Sequence, residues 1–262
     1  MHRVTAKDGT SIAYDRLGSG PAVVLVGGAA VDRSHHAPLA EELAAHFTVH
    51  NYDRRGRGDS DDTPPYAVER EIEDLAALME AAGGAAHLFG VSSGGALALE
   101  AAAAGLPVAR LAVYEVPYDL AEDAGQRQKE YAERLHALLA EGRRGEAFAL
   151  FMRLAGTPEE MVEQAQASPA WASCEALAPT LAYDAAVMGD GRPPLDRLAR
   201  IPCPTLVATG GASPDSAGAF FDRAADAVAA ALPLAERVVV EGQTHLADPK
   251  ALAPVLARFF SP

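Results

Sequence analysis

The chain has 262 residues, and 36 Asp and Glu against 22 Lys and Arg give a formal charge of −14. Repulsion from phosphates and anionic lipid head groups excludes nucleic acid and membrane surfaces as expected partners, leaving a small neutral or weakly charged molecule as the expected substrate. Hydrophobic residues make up 49% of the chain, which suits one sizeable packed core and excludes a disordered or fibrous protein.

The chain opens as a hairpin: His2 to Ala6 alternate, Lys7-Asp8-Gly9-Thr10 turns, and Ser11 to Arg16 is extended again. Met1 to Asp15 carries no apolar run of the kind that directs secretion, so a cytoplasmic location is expected. Ala22 to Val26 is β-branched without polar alternation, the pattern of a parallel strand covered on both faces. A helix over Pro38 to His46, a strand over Thr48 to Tyr52 and an amphipathic helix over Val68 to Ala82 follow. Ala86 to Val91 returns to strand character, and Gly94 to Ala104 reads as an Ala-rich helix stopped by Gly105 and Pro107. The apolar stretch from Ala96 to Leu106 contains Glu100 and is too short to cross a bilayer.

After a strand over Ala109 to Glu115 the alternation stops, and from Pro117 to about Asp196 the signals are helical. A strand (Thr205 to Thr209), a helix (Pro214 to Ala231), a strand (Arg237 to Glu241) and a helix (Pro249 to Phe260) complete the chain. Strand–helix alternation requires a mostly parallel central sheet with helices on both faces, because parallel strands need crossovers. The expected fold class is therefore α/β, with residues 1–116 and 197–262 forming the core and 117–196 a helical cap inserted at the carboxyl edge of the sheet. Two cysteines, Cys174 and Cys203, match neither a disulfide framework nor a metal site and read as buried thiols. No cofactor and no metal is implied, and the oligomeric state is left open.

Gly90-Val91-Ser92-Ser93-Gly94 matches G-x-S-x-G between a buried strand and a helix, the context in which that motif presents a nucleophilic serine on a sharp turn. Ser92 fits the nucleophile position; Ser93 has Val91 rather than glycine two residues before it. The start of the helix also turns backbone N–H groups and the positive end of the dipole towards the serine. The cluster of Arg54, Arg55 and Arg57 is surrounded in sequence by Asp53, Asp59, Asp61 and Asp62, so a loop with internal ion pairs is expected there.

With this elbow, with Val23-Val24-Leu25-Val26-Gly27-Gly28-Ala29 and with the D-x-R-G-x-G-x-S-like segment from Asp53 to Ser60, the chain resembles the α/β-hydrolase family over nearly its full length. The resemblance implies an oxyanion hole formed by the N–H groups of Ala29 and Ser93, with Gly27 standing where the family usually has a histidine. It also implies a general base at His245, in the loop after the last strand, while His35 and His36 follow the oxyanion loop and could line the entrance. For the acid, the family's most common position is Ser213. Asp215 is nearby, although Ser213-Pro214-Asp215 also reads as a helix start. Glu115, at the strand end that some family members such as haloalkane dehalogenases use, is favoured.

The expected function is a serine hydrolase acting through Ser92, His245 and Glu115 on an ester, thioester or lactone of a small, moderately apolar substrate. Phe148, Phe151, Met152, Met161, Trp171 and Tyr183 of the insertion would supply apolar contacts or its own core. Perhydrolase, C–C hydrolase or cyclase chemistry on the same fold, and a non-catalytic binding protein, are the alternatives.

Overall fold

The computed structural model describes the backbone of residues 1–212 and 215–261 and all their side chains except those of 215–217. One eight-stranded sheet organises it: β1 (His2–Thr5), β2 (Ser11–Leu17), β3 (Ala22–Val26), β4 (Thr48–Tyr52), β5 (Ala86–Val91), β6 (Val108–Tyr114), β7 (Thr205–Gly210) and β8 (Ala235–Val240). The strands lie in the order β1-β2-β4-β3-β5-β6-β7-β8, with β1 and β2 antiparallel to their neighbours and the remaining pairs parallel.

Period-two alternation sends successive side chains of the parallel strands to opposite faces. Val23 and Leu25 of β3 join Phe89, Ala112, Leu206 and Ala208 against α1 (Ala37–Leu43) and α11 (Pro249–Phe260). Val24 and Val26 join Leu88, Leu111 and Val113 against α2 (Val68–Ala81), α3 (Ser93–Ala103) and α10 (Asp215–Ala231). Both faces are therefore covered, which explains why β3 reads as an unbroken apolar run.

Between β6 and β7 the chain forms α4 (Ala124–Ala140), α5 (Arg144–Leu154), α6 (Glu159–Gln166), α7 (Trp171–Leu177), α8 (Leu181–Met188) and α9 (Leu195–Leu198). Tyr131, Leu135, Leu138, Phe148, Ala178 and Leu181 give these helices a core of their own, with Phe151, Met152 and Trp171 packed on it. Leu198 of α9 is buried in the sheet-side core instead, so the boundary expected after residue 196 falls inside a helix. Of the two cysteines Cys203 is buried, whereas Cys174 is only half-buried because α7 has no buried residue. No helix among the described residues is long and apolar enough to cross a membrane.

The chain leaves β3 for β4 on one side and returns to β5 on the other. A crevice opens at such a reversal of strand order, outside the carboxyl ends of the strands. Here the ends of β3 and β5 carry Gly27-Gly28-Ala29 and Ser92.

His87 of β5 packs flat against Phe260 of α11, with ring centroids 4.8 Å apart, and its Nδ1 is buried without a partner. Burial, together with the charge of Arg110, pushes the imidazole down to about 4. The unfolded chain binds a proton there up to about pH 6.5, so this group's contribution to stability is complete above that pH and is lost as the pH falls towards 4. His87→Phe should narrow the gap between melting temperatures measured at pH 8 and pH 5. An unchanged gap would contradict this assignment.

Candidate active site

Ser92 lies at the junction of β5 and α3 with φ 56° and ψ −131°, a conformation that costs an L-residue energy and persists only when its surroundings enforce it. Close backbone contacts supply the enforcement. A Cβ on Gly90 would stand 2.5 Å from the Gly94 carbonyl oxygen, and one on Gly94 would stand 2.4 Å from the carbonyl oxygens of Val26 and Gly27. Only glycine lets β3, β5 and α3 meet this closely. The Ser92 N–H donates to Tyr114 O at 3.0 Å, tying the turn to β6, and the Ser92 carbonyl accepts from Gly95 and Ala96 to start α3. As the first residue of α3, Ser93 has a backbone N–H with no intrahelical acceptor.

Glu115 follows β6, also at positive φ (47°), with its N–H donating to Ala208 O at 3.0 Å. The bent backbone turns the carboxylate sideways, across the ends of β7 and β8. Its side chain is fully buried; Oε1 accepts from the Gly210 N–H at 2.8 Å and Oε2 lies 2.8 Å from His245 Nδ1. A buried carboxylate without such donors would be costly. Ser213 and Pro214, and with them the helix start read there, lie outside the described residues, as does the side chain of Asp215.

The loop carrying His245 is fastened at several points. Gln243 O accepts from the Ala212 N–H at 2.8 Å, Tyr114 Oη donates to Thr244 O at 2.6 Å, and Gln243 Oε1 accepts from the Asp248 N–H at 2.8 Å. Burial and the charge of Glu115 raise the pKa of the Tyr114 phenol, so it stays a donor. The His245 ring lies parallel to Phe221 of α10, with centroids 5.0 Å apart. Among the described residues Nε2 has no hydrogen-bond partner, and no hydrogen bond joins the ring to Ser92 Oγ. Both residues line one cavity.

That cavity, about 1240 Å³ in volume, is bounded by the loop of Gly28 and Ala29, the elbow, the His245 loop and helices α4, α5 and α8. His35 and His36 line it, as does Phe151. The other aromatic residues singled out in the insertion do not; Phe148 and Trp171 pack in its core and Tyr183 stacks on Tyr66. Val31 and His36 pack beside Gly27: Val31 Cγ2 and the His36 ring atoms Cδ2 and Nε2 lie 3.4, 3.6 and 3.7 Å from where a Cβ on Gly27 would be. Burial and the proximity of His35 push the pKa of His36 down to about 4, leaving a neutral ring.

The three arginines are buried, but not in pairs with their sequence neighbours. Arg54 binds Glu71 of α2 through two hydrogen bonds (2.7 and 2.6 Å) and Asp184 of α8 at 2.7 Å. Arg55 binds Asp74 and Asp8, and Arg57 binds both oxygens of Asp184. Asp53 and Asp59 pair instead with Arg33, Asp61 lies near Arg3, and Asp62 accepts from Tyr183. The loop turns its arginines into the core, where acids from distant helices meet them, and leaves Asp59, Asp61 and Asp62 outside. Asp184 was missed in the sequence; its signal was a lone carboxylate in the apolar run Leu181-Ala182-Tyr183-Asp184-Ala185-Ala186-Val187-Met188.

The family model described as "Alpha/beta hydrolase family" matches residues 23–255. The chain belongs to the alpha/beta hydrolase family. Its structure is similar to that of an alpha/beta hydrolase from Sphaerobacter thermophilus DSM 20745, with a TM-score of 0.89 and 54% identity over 99% of this chain and 100% of that one. It also resembles a thermophilic esterase from Thermogutta terrifontis, with a TM-score of 0.70 and 27% identity over 98% of this chain and 96% of that one. A pimeloyl-[acyl-carrier protein] methyl ester esterase of Xanthomonas campestris pv. campestris (strain B100) is 43% identical over 100 residues. That match spans 38% of this chain and 38% of the esterase.

Tyr114→Phe removes the hydroxyl that holds the Thr244 carbonyl. A loss of about 1 kcal/mol in stability is expected, with faster amide hydrogen exchange through residues 243–247. Unaltered exchange there would show that the hydroxyl does not fasten the loop.

Proposed function

We propose that this member of the alpha/beta hydrolase family is a serine hydrolase that cleaves an ester, thioester or lactone of a small, moderately apolar substrate through Ser92, His245 and Glu115. One observation carries the reading: a buried carboxylate, held by the Gly210 N–H, meets Nδ1 of a histidine that shares a cavity with the serine of the elbow. An ionised carboxylate can only accept, so Nδ1 carries the proton and Nε2 is left with a free lone pair.

Nε2 takes the hydroxyl proton as Ser92 Oγ attacks the substrate carbonyl, and Glu115 steadies the resulting imidazolium. Hydrogen bonds between nucleophile and base are often long in an empty site and tighten around bound substrate. The oxyanion is received by the N–H groups of Ala29 and Ser93, each worth on the order of 3 kcal/mol in the transition state. His245 then protonates the leaving alcohol or thiol, and water, activated by the same ring, releases the acid and restores Ser92. The apolar part of the substrate would lie along Phe151, Met188, Phe220 and Leu246, while the charge of −14 disfavours polyanionic substrates. The esterase names carried by the Xanthomonas and Thermogutta proteins agree with carboxylic ester cleavage.

Ser92→Ala should abolish hydrolysis of a short-chain p-nitrophenyl ester; undiminished turnover, or ligand binding with no turnover in the parent protein, would reject the hydrolase. Glu115→Gln should lower kcat by about 10²- to 10⁴-fold through loss of the oriented imidazole. Asp215→Asn should stay within about threefold of the parent, as expected for a residue outside the triad. The reverse ranking would transfer the acid's role to Asp215.

A further inference from the structure

Behind the oxyanion loop the buried arginines reach the backbone of the loop itself. Arg57 Nη1 donates to the Gly28 carbonyl oxygen, and Arg54 Nη1 reaches the Gly27 carbonyl oxygen at 3.3 Å. The Gly28 carbonyl and the Ala29 N–H belong to one planar peptide unit. In a trans peptide the two point in opposite directions, so a donor fixed on the oxygen fixes the aim of the N–H. It also polarises that N–H, since linked hydrogen bonds strengthen one another in a low-dielectric interior.

The other edge of Arg57 is gripped by Asp184, with Nη2 at 2.9 Å from Oδ1 and 2.8 Å from Oδ2. Asp184 Oδ1 also accepts from Ser93 Oγ at 2.8 Å. Ser93 is the residue proposed to supply the second oxyanion donor. One carboxylate on α8 is thus tied to both amides, to Ala29 through Arg57 and the Gly28–Ala29 peptide and to Ser93 through its own side chain. Burial opposes the charge on Asp184, but Arg57 and Arg54 outweigh it and hold the pKa of this carboxyl below the usual range. Together Arg54, Arg57, Glu71 and Asp184 form a dry cluster of two positive and two negative charges.

We infer that Asp184 and Arg57 are positioning residues that aim the Ala29 and Ser93 amides at the oxyanion, so that a helix of the insertion sets the geometry of catalysis in the sheet domain. This inference rests on the serine-hydrolase reading above.

The double variant Arg57→Met/Asp184→Asn tests it, because it removes one charge of each sign and leaves Arg54 paired with Glu71. On p-nitrophenyl acetate kcat should fall by about 10²-fold, the scale of losing one oxyanion donor, with KM within about threefold. The inhibition constant of an aryl trifluoromethyl ketone, whose adduct with Ser92 carries an oxyanion, should rise by the same factor as kcat falls. A merely structural pair would lower the melting temperature without that matched loss. An unchanged kcat, or a ketone affinity that does not follow kcat, overturns the inference. Should the double variant fail to fold, Arg57→Lys keeps the charge but not the two-sided grip; a loss in kcat of at least about tenfold at steady KM supports the inference, and parental kcat overturns it. Parental turnover that persists in Ser92→Ala sinks the hydrolase reading itself. Turnover that vanishes in Ser92→Ala yet survives in Arg57→Met/Asp184→Asn sinks only this inference.

Discussion

The structure depends on a reversal of the chain at Ser92, where a strand becomes a helix through one residue in the left-handed region. That conformation costs on the order of 1–3 kcal/mol for a residue with a side chain. It survives because β3, β5, β6 and α3 surround it with hydrogen bonds and with glycine contacts that admit no Cβ. The consequence is chemical: the serine stands above the carboxyl edge of the sheet while the first N–H groups of a helix lie beneath it. Five strand ends contribute to the same place. The Gly27-Gly28-Ala29 loop follows β3, the elbow follows β5, Glu115 follows β6, Gly210 closes β7, and the His245 loop follows β8. Parallel register brings together residues as far apart as Gly27 and His245 without any of them being neighbours in sequence.

A second constraint is electrostatic. Buried ion pairs seldom add net stability, since desolvation offsets their attraction, but removing one partner leaves an expensive lone charge. Arg54, Arg55 and Arg57 are nearly inaccessible; Arg54 and Arg55 each meet acids from two different segments, and Arg57 holds both oxygens of Asp184. Such a cluster acts as a register pin: α2, α8 and the loop after β4 can pack together in few other ways. Its carboxylate Asp184 also accepts from Ser93 Oγ, so α8 touches the elbow directly.

Sequence patterns disclosed the elements and the elbow because both are local. The unbroken apolar run at Ala22–Val26 marks a strand covered on two faces, and Gly90-Val91-Ser92-Ser93-Gly94 carries its own steric requirement. Glu115 stands out in the sequence as a carboxylate at the end of an apolar strand that needs a partner, and in the structure its Oε2 lies 2.8 Å from His245 Nδ1. What stayed hidden is what packing decides. The arginines look paired with Asp53, Asp59, Asp61 and Asp62, yet the loop faces inward and meets Glu71, Asp74, Asp8 and Asp184. No local signal says that residue 184 returns to residues 54, 57 and 93. That Val31 and His36 pack beside Gly27 is also not visible in the sequence. The contacts of Phe221 and Tyr114 with the His245 segment likewise come from different strands and helices.

Covalent trapping reads the reactivity of the Ser92 hydroxyl directly. A fluorophosphonate probe applied to the native protein, followed by peptide mapping, should place a single adduct on Ser92. A native protein that takes up no probe, or that carries the adduct on Ser93 or elsewhere, would contradict the serine-hydrolase reading.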